Sequence, residues 1–486
     1  MELNSTEARP AMTDSPSSAF FDNLPTEMKV NVFAFVRTKA DQKAVCLVSN
    51  EWNALMAPML WDILASQFRP TSTMSLTTLL RPGNNILPHV KKIYVGRSQP
   101  DPSDKSCDTT VEAVLRFVVG ALPNALYHFT SDMTLSSSFV MYLLQSQPTL
   151  KIFHGRWERS GPEVPSEIAS VGQATWLAPT IRQLRQLTLY VDHECTLNRD
   201  DCRFLIQHAR CLETLDIRGF KGKPSVELSS KEIFGDLEAI DGTPTKFLHL
   251  SRLLLCNVEF GIAPTTIFSH IDFSALKILT IVRCSQAPPF LEALVAYYSR
   301  APCKLNRLDV MLRDHRRVAK DAAVQALERL LDCIPPLCSL TLDPGAEKHL
   351  NVACFVRHGS RLRNLLLGNA RTMLRPYLSY SALTKLLHAC PELRQLAVAL
   401  PPIEMGPIER AGSEFVLGAS SQLPQTELES ALVRAVAHSE GRRNTNTTLG
   451  HYRYRSETPY SAHFVPTNHR LPYATEPGVR RPSVDR

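Results

Sequence analysis

The chain has 486 residues, of which 44% are hydrophobic and 21% charged, a composition typical of soluble globular proteins. Because there is no uninterrupted apolar run of about 18 residues and no signal-peptide pattern, we expect no membrane contact and a cytoplasmic and/or nuclear location. Residues 441–486 hold eight arginines and three acids and so carry most of the formal net charge of +7, which leaves a nearly neutral remainder that disfavours nucleic acid as a partner.

The first predicted structured segment is residues 20–65. It follows a polar stretch, 1–19, that is rich in Ser, Thr and Pro and is expected to be disordered. In the sequence LPTEMKVNVFAFV, the side chains of Met28, Val32 and Phe33 recur at helical spacing. This pattern predicts a short helix that begins directly after the Leu-Pro dipeptide.

Residues 39–61 predict two more helices, which complete a small bundle. Asp41 is suited to cap the first of them. The second is expected to end at Pro58, because proline interrupts helical hydrogen bonding. Its apolar stripe consists of Val45, Val48, Trp52 and Leu55. Trp61 lies beyond the break, where it can fold back on the bundle.

A regular pattern, L-x-x-L-x-[LIV], then recurs eight times at intervals of 25 to 38 residues. It begins at Leu184, Leu212, Leu250, Leu276, Leu305, Leu337, Leu362 and Leu393, with weaker members at Val90 and Leu150. Each motif predicts a strand, and helical patterns lie between the strands. A unit of one strand and one helix cannot bury its apolar side, but a stack of units forms a continuous core. We therefore predict a repeat solenoid over residues 89–400, after a connecting segment at 66–88.

Beyond residue 400 the repeat pattern fades. Residues 401–441 form a C-terminal capping region, in which one helical pattern has an apolar stripe suited to closing the solenoid. The stripe consists of Leu428, Leu432 and Val436. Residues 442–486 are basic and rich in proline, and we expect a disordered tail.

The N-terminal segment contains an ordered series of motifs: Leu-Pro-x-Glu, a hydrophobic-Phe pair, a hydrophobic-Val-Ser run, a Trp and a closing Leu-Trp. Their positions are Leu24, Pro25, Glu27, Val32, Phe33, Leu47, Val48, Ser49, Trp52, Leu60 and Trp61. In this order they resemble the F-box, a short helical module found at the N-terminus of many multidomain proteins. The pattern departs from the F-box mildly, at Asn50, where lysine is common, and at Asp41-Gln42, where an Asp-Leu pair is usual.

The repeats, for example CPELRQLAV at 390–398, resemble leucine-rich repeats. Together the two resemblances imply an α/β fold: a small N-terminal helical F-box bundle followed by an irregular leucine-rich-repeat solenoid, a horseshoe. F-box proteins of this kind are substrate-recognition receptors of cullin-type ubiquitin ligases. Their F-box docks on a Skp-type adaptor and their repeats hold the protein substrate, so the chain itself would be non-catalytic and need no cofactor.

Two alternatives to this function remain open on the sequence. One is a leucine-rich-repeat scaffold for protein interactions that is not linked to ubiquitination. The other is an enzyme that uses the concave face of the solenoid, although we find no nucleotide-binding, metalloprotease or serine-hydrolase motif.

The F-box resemblance also implies which residues bind the adaptor. They are Leu24, Pro25, Glu27, Val32, Phe33, Leu47, Val48, Trp52, Leu60 and Trp61. For Trp52 and Trp61, a structural place in the core of the bundle is an equally good interpretation. For Leu24 and Pro25, the structural alternative is a turn that starts the helix.

A substrate surface is predicted from strand alternation. In each motif the three apolar positions face the core, so by strand alternation the third, fifth and seventh residues face the concave side. The middle repeats place polar and charged side chains there, and these are not needed for folding. We predict that the substrate contacts Tyr190, Asp216, Arg218, Arg252, Arg307 and Asp309; the alternative is a merely solvated face.

Three weaker candidates complete the prediction. A group of His193, Cys195, Cys202, His208 and Cys211 suggests zinc, but its spacing matches no standard finger, so we expect no metal site. The basic run at 313–320 is expected to form a solvated loop, with an acidic or phosphorylated ligand as the alternative. The aromatic and arginine residues of the tail could contact nucleic acid, but nothing indicates a folded framework for them.

Overall fold

In the computed structural model all described residues belong to one compact unit, Met1–Leu432. The structure describes residues 21, 23–68, 86–97, 105–122, 124–158, 177–191, 196–219, 228–235, 246–261, 265–312, 317–343, 350–368 and 378–398. The predicted disordered N-terminus, the capping region with Leu428, Leu432 and Val436, and the basic tail lie outside these residues.

The described part of the chain opens with three short helices, and the first begins where the sequence predicts. They are α1 (Thr26–Phe33), α2 (Lys39–Cys46) and α3 (Asn50–Leu60). The Thr38 hydroxyl accepts the N–H of Asp41 at 3.1 Å, and the Ser49 hydroxyl accepts the N–H of Trp52 at 3.1 Å. These two hydroxyls cap α2 and α3, since each satisfies a donor that has no partner within its own helix.

The predictions for α2 and α3 were wrong in three details. Thr38 rather than Asp41 caps α2, because its oxygen faces the free N–H groups of the first turn. The predicted single apolar stripe is divided at residues 47–49, where the chain leaves one helix and begins the next. Pro58 lies inside α3 instead of ending it, since the helix continues to Leu60.

An aromatic cluster holds the three helices together. The ring of Trp52 lies 5.3 Å from that of Phe33 and 4.9 Å from that of Phe21. Phe33 is buried, and below the cluster Met56 and Leu60 are buried as well. Trp52 therefore has the role in the core of the bundle that was one of its two interpretations from the sequence. Its truncation would remove the centre of this small core.

The main body is a long parallel sheet, which confirms the predicted mixed α/β class and the repeating strand–helix units of a leucine-rich-repeat-like fold. Its strands are β1 (Ile63–Phe68), β2 (Lys92–Arg97), β3 (His128–Ser136), β4 (Ile152–Glu158), β5 (Gln186–Val191), β6 (Thr214–Gly219), β8 (Arg252–Cys256), β10 (Ile278–Val282), β11 (Arg307–Met311), β12 (Ser339–Asp343), β13 (Asn364–Leu367) and β14 (Gln395–Val398). They pair in chain order, apart from β7 (Leu228–Ser229) and β9 (Val258–Glu259), which form a separate two-stranded sheet.

All eight L-x-x-L-x-[LIV] motifs lie on strands, as predicted, and they align without slippage. Leu253, Leu279, Leu308 and Leu340 occupy one register row across β8, β10, β11 and β12. Each of these leucines is fully buried. The weaker motifs that begin at Val90 and Leu150 likewise become β2 and β4.

Two strands of the long sheet, β1 and β3, were not predicted, and neither were the short strands β7 and β9. On β3, the motif begins with Leu126 and Phe129, but its third position is Ser131, which pairs with Val95 of β2. The buried Ser131 hydroxyl accepts the N–H of Met133 at 3.1 Å, so a polar residue is tolerated in a leucine position. On β1, Leu64 pairs with Ile93, so the first strand of the sheet spans the boundary between the predicted bundle (20–65) and the predicted connecting segment (66–88).

Helices connect the strands and share one apolar core with their inward-facing positions. They are α4 (Lys105–Ala121), α5 (Ser137–Ser146), α6 (Ala178–Arg182), α7 (Thr196–His208), α8 (Ser230–Phe234), α9 (Thr265–His270), α10 (Ala287–Tyr298), α11 (Arg317–Cys333), α12 (Val352–Val356) and α13 (Tyr380–Ala389). Cys354 and Cys390 belong to this core, and burial raises the pKa of each thiol to about 11. They act as small apolar side chains, because the reactive thiolate is disfavoured.

Candidate interaction surfaces

Exposed apolar side chains are concentrated on the three N-terminal helices and their turns. Among the described residues, five of the ten large exposed hydrophobic side chains lie there, although this segment is short. They are Met28 (52% exposed), Val32 (45%), Phe35 (79%), Leu47 (87%) and Val48 (61%), and we call them the helical patch. Side chains of this kind are usually buried, so their number in one short segment makes this segment a candidate for contact with another protein.

The predicted adaptor-binding residues divide into surface and core. Pro25, Glu27, Val32, Leu47 and Val48 are exposed, and Leu24, Trp52 and Trp61 are partly buried. Phe33 and Leu60, by contrast, are buried inside the bundle. Met28 and Phe35 were missed as surface residues, because helical periodicity alone assigned Met28 to the inward stripe.

The helical segment continues into the sheet without an intervening loop. Trp61 follows α3 directly, and Leu64 on β1 aligns with Ile93 on β2. By this register Trp61 occupies the place of the first leucine of a repeat motif. The Asp62 carboxylate lies 3.8 Å from the Lys39 Nζ and 3.3 Å from the Lys92 Nζ. Side chains from α2 and β2 therefore meet at the same carboxylate. These contacts connect the helical segment and the sheet at the point where α3 passes into β1.

The second candidate surface is the face of the sheet opposite the buried leucines, which we call the open face. Strand alternation puts Tyr190, Asp216, Arg218, Arg252, Arg307 and Asp309 there, as predicted. Arg252 and Arg307 are exposed, and Tyr190 and Arg218 are partly buried. Asp216 and Asp309 are only 8% and 5% exposed, because side chains from their own and adjacent strands cover them.

Asp216 holds Arg218 in a fixed position on β6. Arg218 donates from Nε to both carboxylate oxygens at 3.1 Å and from Nη2 to Oδ2 at 2.7 Å. The same guanidinium lies 5.4 Å from the centre of the Tyr190 ring and 3.4 Å from its hydroxyl. Burial raises the pKa of the Asp216 carboxyl, and the Arg218 hydrogen bonds oppose this effect. For Arg218, burial is outweighed by Asp216, so its pKa rises and it remains charged.

A similar pair lies on β11. Arg307 donates from Nε to the Asp309 Oδ2 at 2.8 Å, and the Thr280 hydroxyl donates to the same oxygen at 3.1 Å. The second oxygen, Oδ1, is buried and has no hydrogen-bond partner among the described residues. Both acidic residues of the predicted surface therefore anchor arginines, and a partner would meet the guanidinium groups first.

The amino-terminal part of the open face carries planar side chains that the sequence did not single out. The Tyr94 hydroxyl lies 3.1 Å from the His128 Nδ1, and the His128 Nε2 lies 2.9 Å from the Thr130 Oγ1. The His154 ring packs edge-on against that of His128, with their centres 5.5 Å apart. Burial, with the nearby charge of Lys92, lowers the pKa of His128 to about 4, so the imidazole is neutral at pH 7.

The weaker sequence candidates are only partly described. In the possible zinc group, His193 and Cys195 lie outside the described residues, and Cys202 and His208 are buried on α7. The His208 Nδ1 lies 2.9 Å from the Phe204 carbonyl oxygen. The basic run at 313–320 was predicted as one loop, but its last four residues begin helix α11. Within the described residues, no cluster of three or more metal-binding side chains is found.

Comparison with known proteins adds little. No family model matches the chain, and no match is found among curated proteins. A solved structure of the leucine-rich repeat-containing protein LegL7 from Legionella pneumophila is 12% identical, covers 79% of this chain and 100% of that chain, and has a TM-score of 0.32. A protein from Bacteroides fragilis is 10% identical, covers 63% and 74%, and has a TM-score of 0.30. The description of the repeats therefore rests on the register of this chain itself.

Among the described helices, none is both long and apolar enough to cross a bilayer.

Proposed function

We propose that this chain is a non-catalytic substrate receptor of a cullin-type ubiquitin ligase. In this proposal helices α1–α3 dock on a Skp-type adaptor, and the open face of the repeats holds a protein substrate. The observation that carries the proposal is the helical patch, because such a small bundle gains little by exposing apolar side chains unless a partner covers them. The F-box motifs in the same segment indicate which partner that is.

The join between helices and sheet supports this role. A substrate receptor acts by proximity: it raises the effective concentration of substrate lysines near the enzyme that carries ubiquitin. Proximity is lost if the two binding surfaces move independently over long distances. Here α3 runs directly into β1, and Asp62 contacts lysines from both sides of the join. The transfer chemistry itself belongs to partner enzymes.

The open face is the proposed substrate surface. Tyr190, Arg218, Arg252 and Arg307 supply an aromatic ring and three guanidinium groups, which are side chains enriched at protein interfaces. Asp216 and Asp309 act behind them by fixing Arg218 and Arg307. At these two arginines a partner would meet guanidinium groups that are already oriented, which reduces the entropy lost on binding.

The test replaces exposed apolar side chains that are not needed for folding. Val32→Ser combined with Val48→Ser should weaken binding of a purified Skp-type adaptor by about tenfold or more. A valine that becomes buried in the complex contributes about 1.5 kcal/mol or more to binding. Phe117→Ser combined with Leu248→Ser is the matched control, because these side chains are 64% and 61% exposed outside the helical patch. Thermal unfolding should be nearly unchanged in both variants.

The outcome separates two functions. If wild-type protein binds the adaptor and only the Val32/Val48 variant loses it, the ligase role is supported. If wild-type protein does not bind a Skp-type adaptor, the ligase proposal is wrong. The chain would then be a leucine-rich-repeat scaffold whose helical patch serves a different protein.

A further inference from the structure

The charges on the middle of the open face are not balanced. Strands β6, β8 and β11 carry three arginines there, Arg218, Arg252 and Arg307, and two carboxylates, Asp216 and Asp309. Each carboxylate forms its direct ion pair with the arginine of its own strand. Within these strands one positive charge is left over, and Asp343, the next carboxylate on this face, lies on β12 in register with Met311, two rows from Arg307. The site around Arg252 and Arg307 is therefore complementary to a single negative charge.

The spare hydrogen-bond donors belong to Arg252 and Arg307. Arg307 uses its Nε for Asp309, and no acceptor for its Nη atoms is found among the described residues. The guanidinium of Arg252 is exposed and, among the described residues, has no hydrogen bond or ion pair, although its charge opposes the burial that raises the pKa of the Asp216 carboxyl. At Arg218, by contrast, each of the three guanidinium nitrogens already has a partner in Asp216 or Tyr190.

The two donors flank an apolar side chain. Arg252 and Arg307 both pair in register with Ile278, which lies between them on β10. Neighbouring strands are about 4.8 Å apart, so the two arginines start about 10 Å from each other. Arginine side chains are long enough to converge from this separation on one group above Ile278.

The next row of the sheet offers a place for an apolar side chain. Leu254 is partly exposed on β8, between Asp216 and Thr280 in register. It lies two residues from Arg252, a distance of about 6.7 Å along a strand. Side chains two residues apart in an extended peptide have the same separation and point to the same side.

We infer that this site binds an extended segment of a partner protein with the pattern acid-x-aliphatic. The Asp or Glu carboxylate accepts hydrogen bonds from Arg252 and Arg307 above Ile278, and the aliphatic side chain covers Leu254. A carboxylate matches the single unbalanced charge, whereas a phosphate dianion would leave excess negative charge beside Asp216 and Asp309. The inference rests on the proposed role of the open face in holding a substrate, and it defines the class of substrate segment.

The test uses the full chain and fluorescein-labelled peptides with a Gly/Ser frame around Glu-Ser-Leu. By fluorescence polarisation, this probe should bind about tenfold or more tightly than its Gln-Ser-Leu and Glu-Ser-Ser counterparts. Arg252→Gln combined with Arg307→Gln should remove that preference. The control Arg329→Gln with Arg357→Gln removes two exposed arginines from helix-side ion pairs and should bind like wild type.

The apolar contact at Leu254 is tested by a second variant with a matched control. Leu254→Ser should weaken binding of Glu-Ser-Leu, whereas Leu366→Ser, at an exposed leucine on β13 of the same face, should leave it unchanged. Equal binding of the Glu and Gln probes, or wild-type binding by the Arg252/Arg307 variant, would overturn the inference. So would a phosphoserine-Ser-Leu probe that binds where Glu-Ser-Leu does not, because the site would then select a phosphorylated partner.

Adaptor binding, measured on the same preparations, keeps this inference separate from the proposed function. If the chain binds the adaptor but not the Glu-Ser-Leu probe, the ligase role stands and the inference is wrong. If it binds the probe in the arginine-dependent manner but not the adaptor, the inference stands for a scaffold and the ligase role is wrong.

Discussion

Two adjacent leucines on β13 provide a direct test of the repeat register. Leu365 and Leu366 are chemically identical and neighbours in sequence, but strand alternation points them to opposite faces. Leu365 is fully buried and aligns with Leu340 and Leu396, whereas Leu366 is 37% exposed on the open face. A shift of the strand by one residue would exchange their environments.

The expected costs of truncation differ severalfold. Leu365→Ala removes fully buried carbons and leaves a cavity between stacked strands, which should lower the free energy of unfolding by about 3–5 kcal/mol. Leu366→Ala removes the same atoms from a side chain that solvent already reaches and leaves no enclosed cavity. Its cost should be about 1.5 kcal/mol or less, the transfer free energy of the buried part alone.

Urea unfolding followed by circular dichroism measures both costs against wild type. Since repeat arrays can lose two-state behaviour, hydrogen exchange of the β13 amides should be measured as well, because it reports local opening. Equal costs for the two variants, or a larger cost for Leu366→Ala, would refute the register and with it the placement of the open face.

Two further predictions concern single residues. Gly219→Ala should destabilise the protein by about 1–3 kcal/mol, because an added Cβ would lie 2.4 Å from the Asn257 carbonyl oxygen; Gly368→Ala, whose nearest neighbour would be 3.9 Å away, is the control for thermal unfolding. The folded pKa of His128, about 4, lies below the value of 6.5 in an unfolded chain. Its contribution to the free energy of unfolding is therefore fully present above about pH 6.5 and is lost as the pH falls toward 4. After allowance for solvent exposure this amounts to about 1–2 kcal/mol. His128→Gln should therefore flatten the dependence of stability on pH across this range, and a slope like that of wild type would contradict the assignment.

The strands were predictable wherever the periodic pattern was complete. In the motif at Leu276, both leucines and Ile281 are apolar, and the strand appeared in the predicted place. β3 was missed because Ser131 replaces the third leucine, and a local pattern cannot show that Met133 satisfies its hydroxyl. The stripe predicted for helix α3 began too early, at Val45, whereas the helix begins at Asn50. Residue spacing detects an apolar stripe, but it does not detect the end of one helix and the start of the next at the Ser49 cap.

The assignment of side chains to the two faces of the sheet followed from the amino-acid sequence, because alternation is a property of each strand alone. The sequence did not determine how deeply they are buried. Asp216 and Asp309 lie on the predicted face but are covered, since their surroundings come in part from strands distant in the chain: Leu254 beside Asp216, and Thr280 beside Asp309.

Tertiary structure also decided which F-box-like residues are surface and which are core. Val32 and Phe33 are consecutive in one motif, yet Phe33 packs against Trp52 of another helix while Val32 faces solvent. The motif specifies only that a hydrophobic residue is followed by phenylalanine. Which of the two side chains points into the bundle depends on how the three helices pack. Exposure, and therefore the proposed docking surface, is a consequence of that packing rather than of the order of residues along the chain.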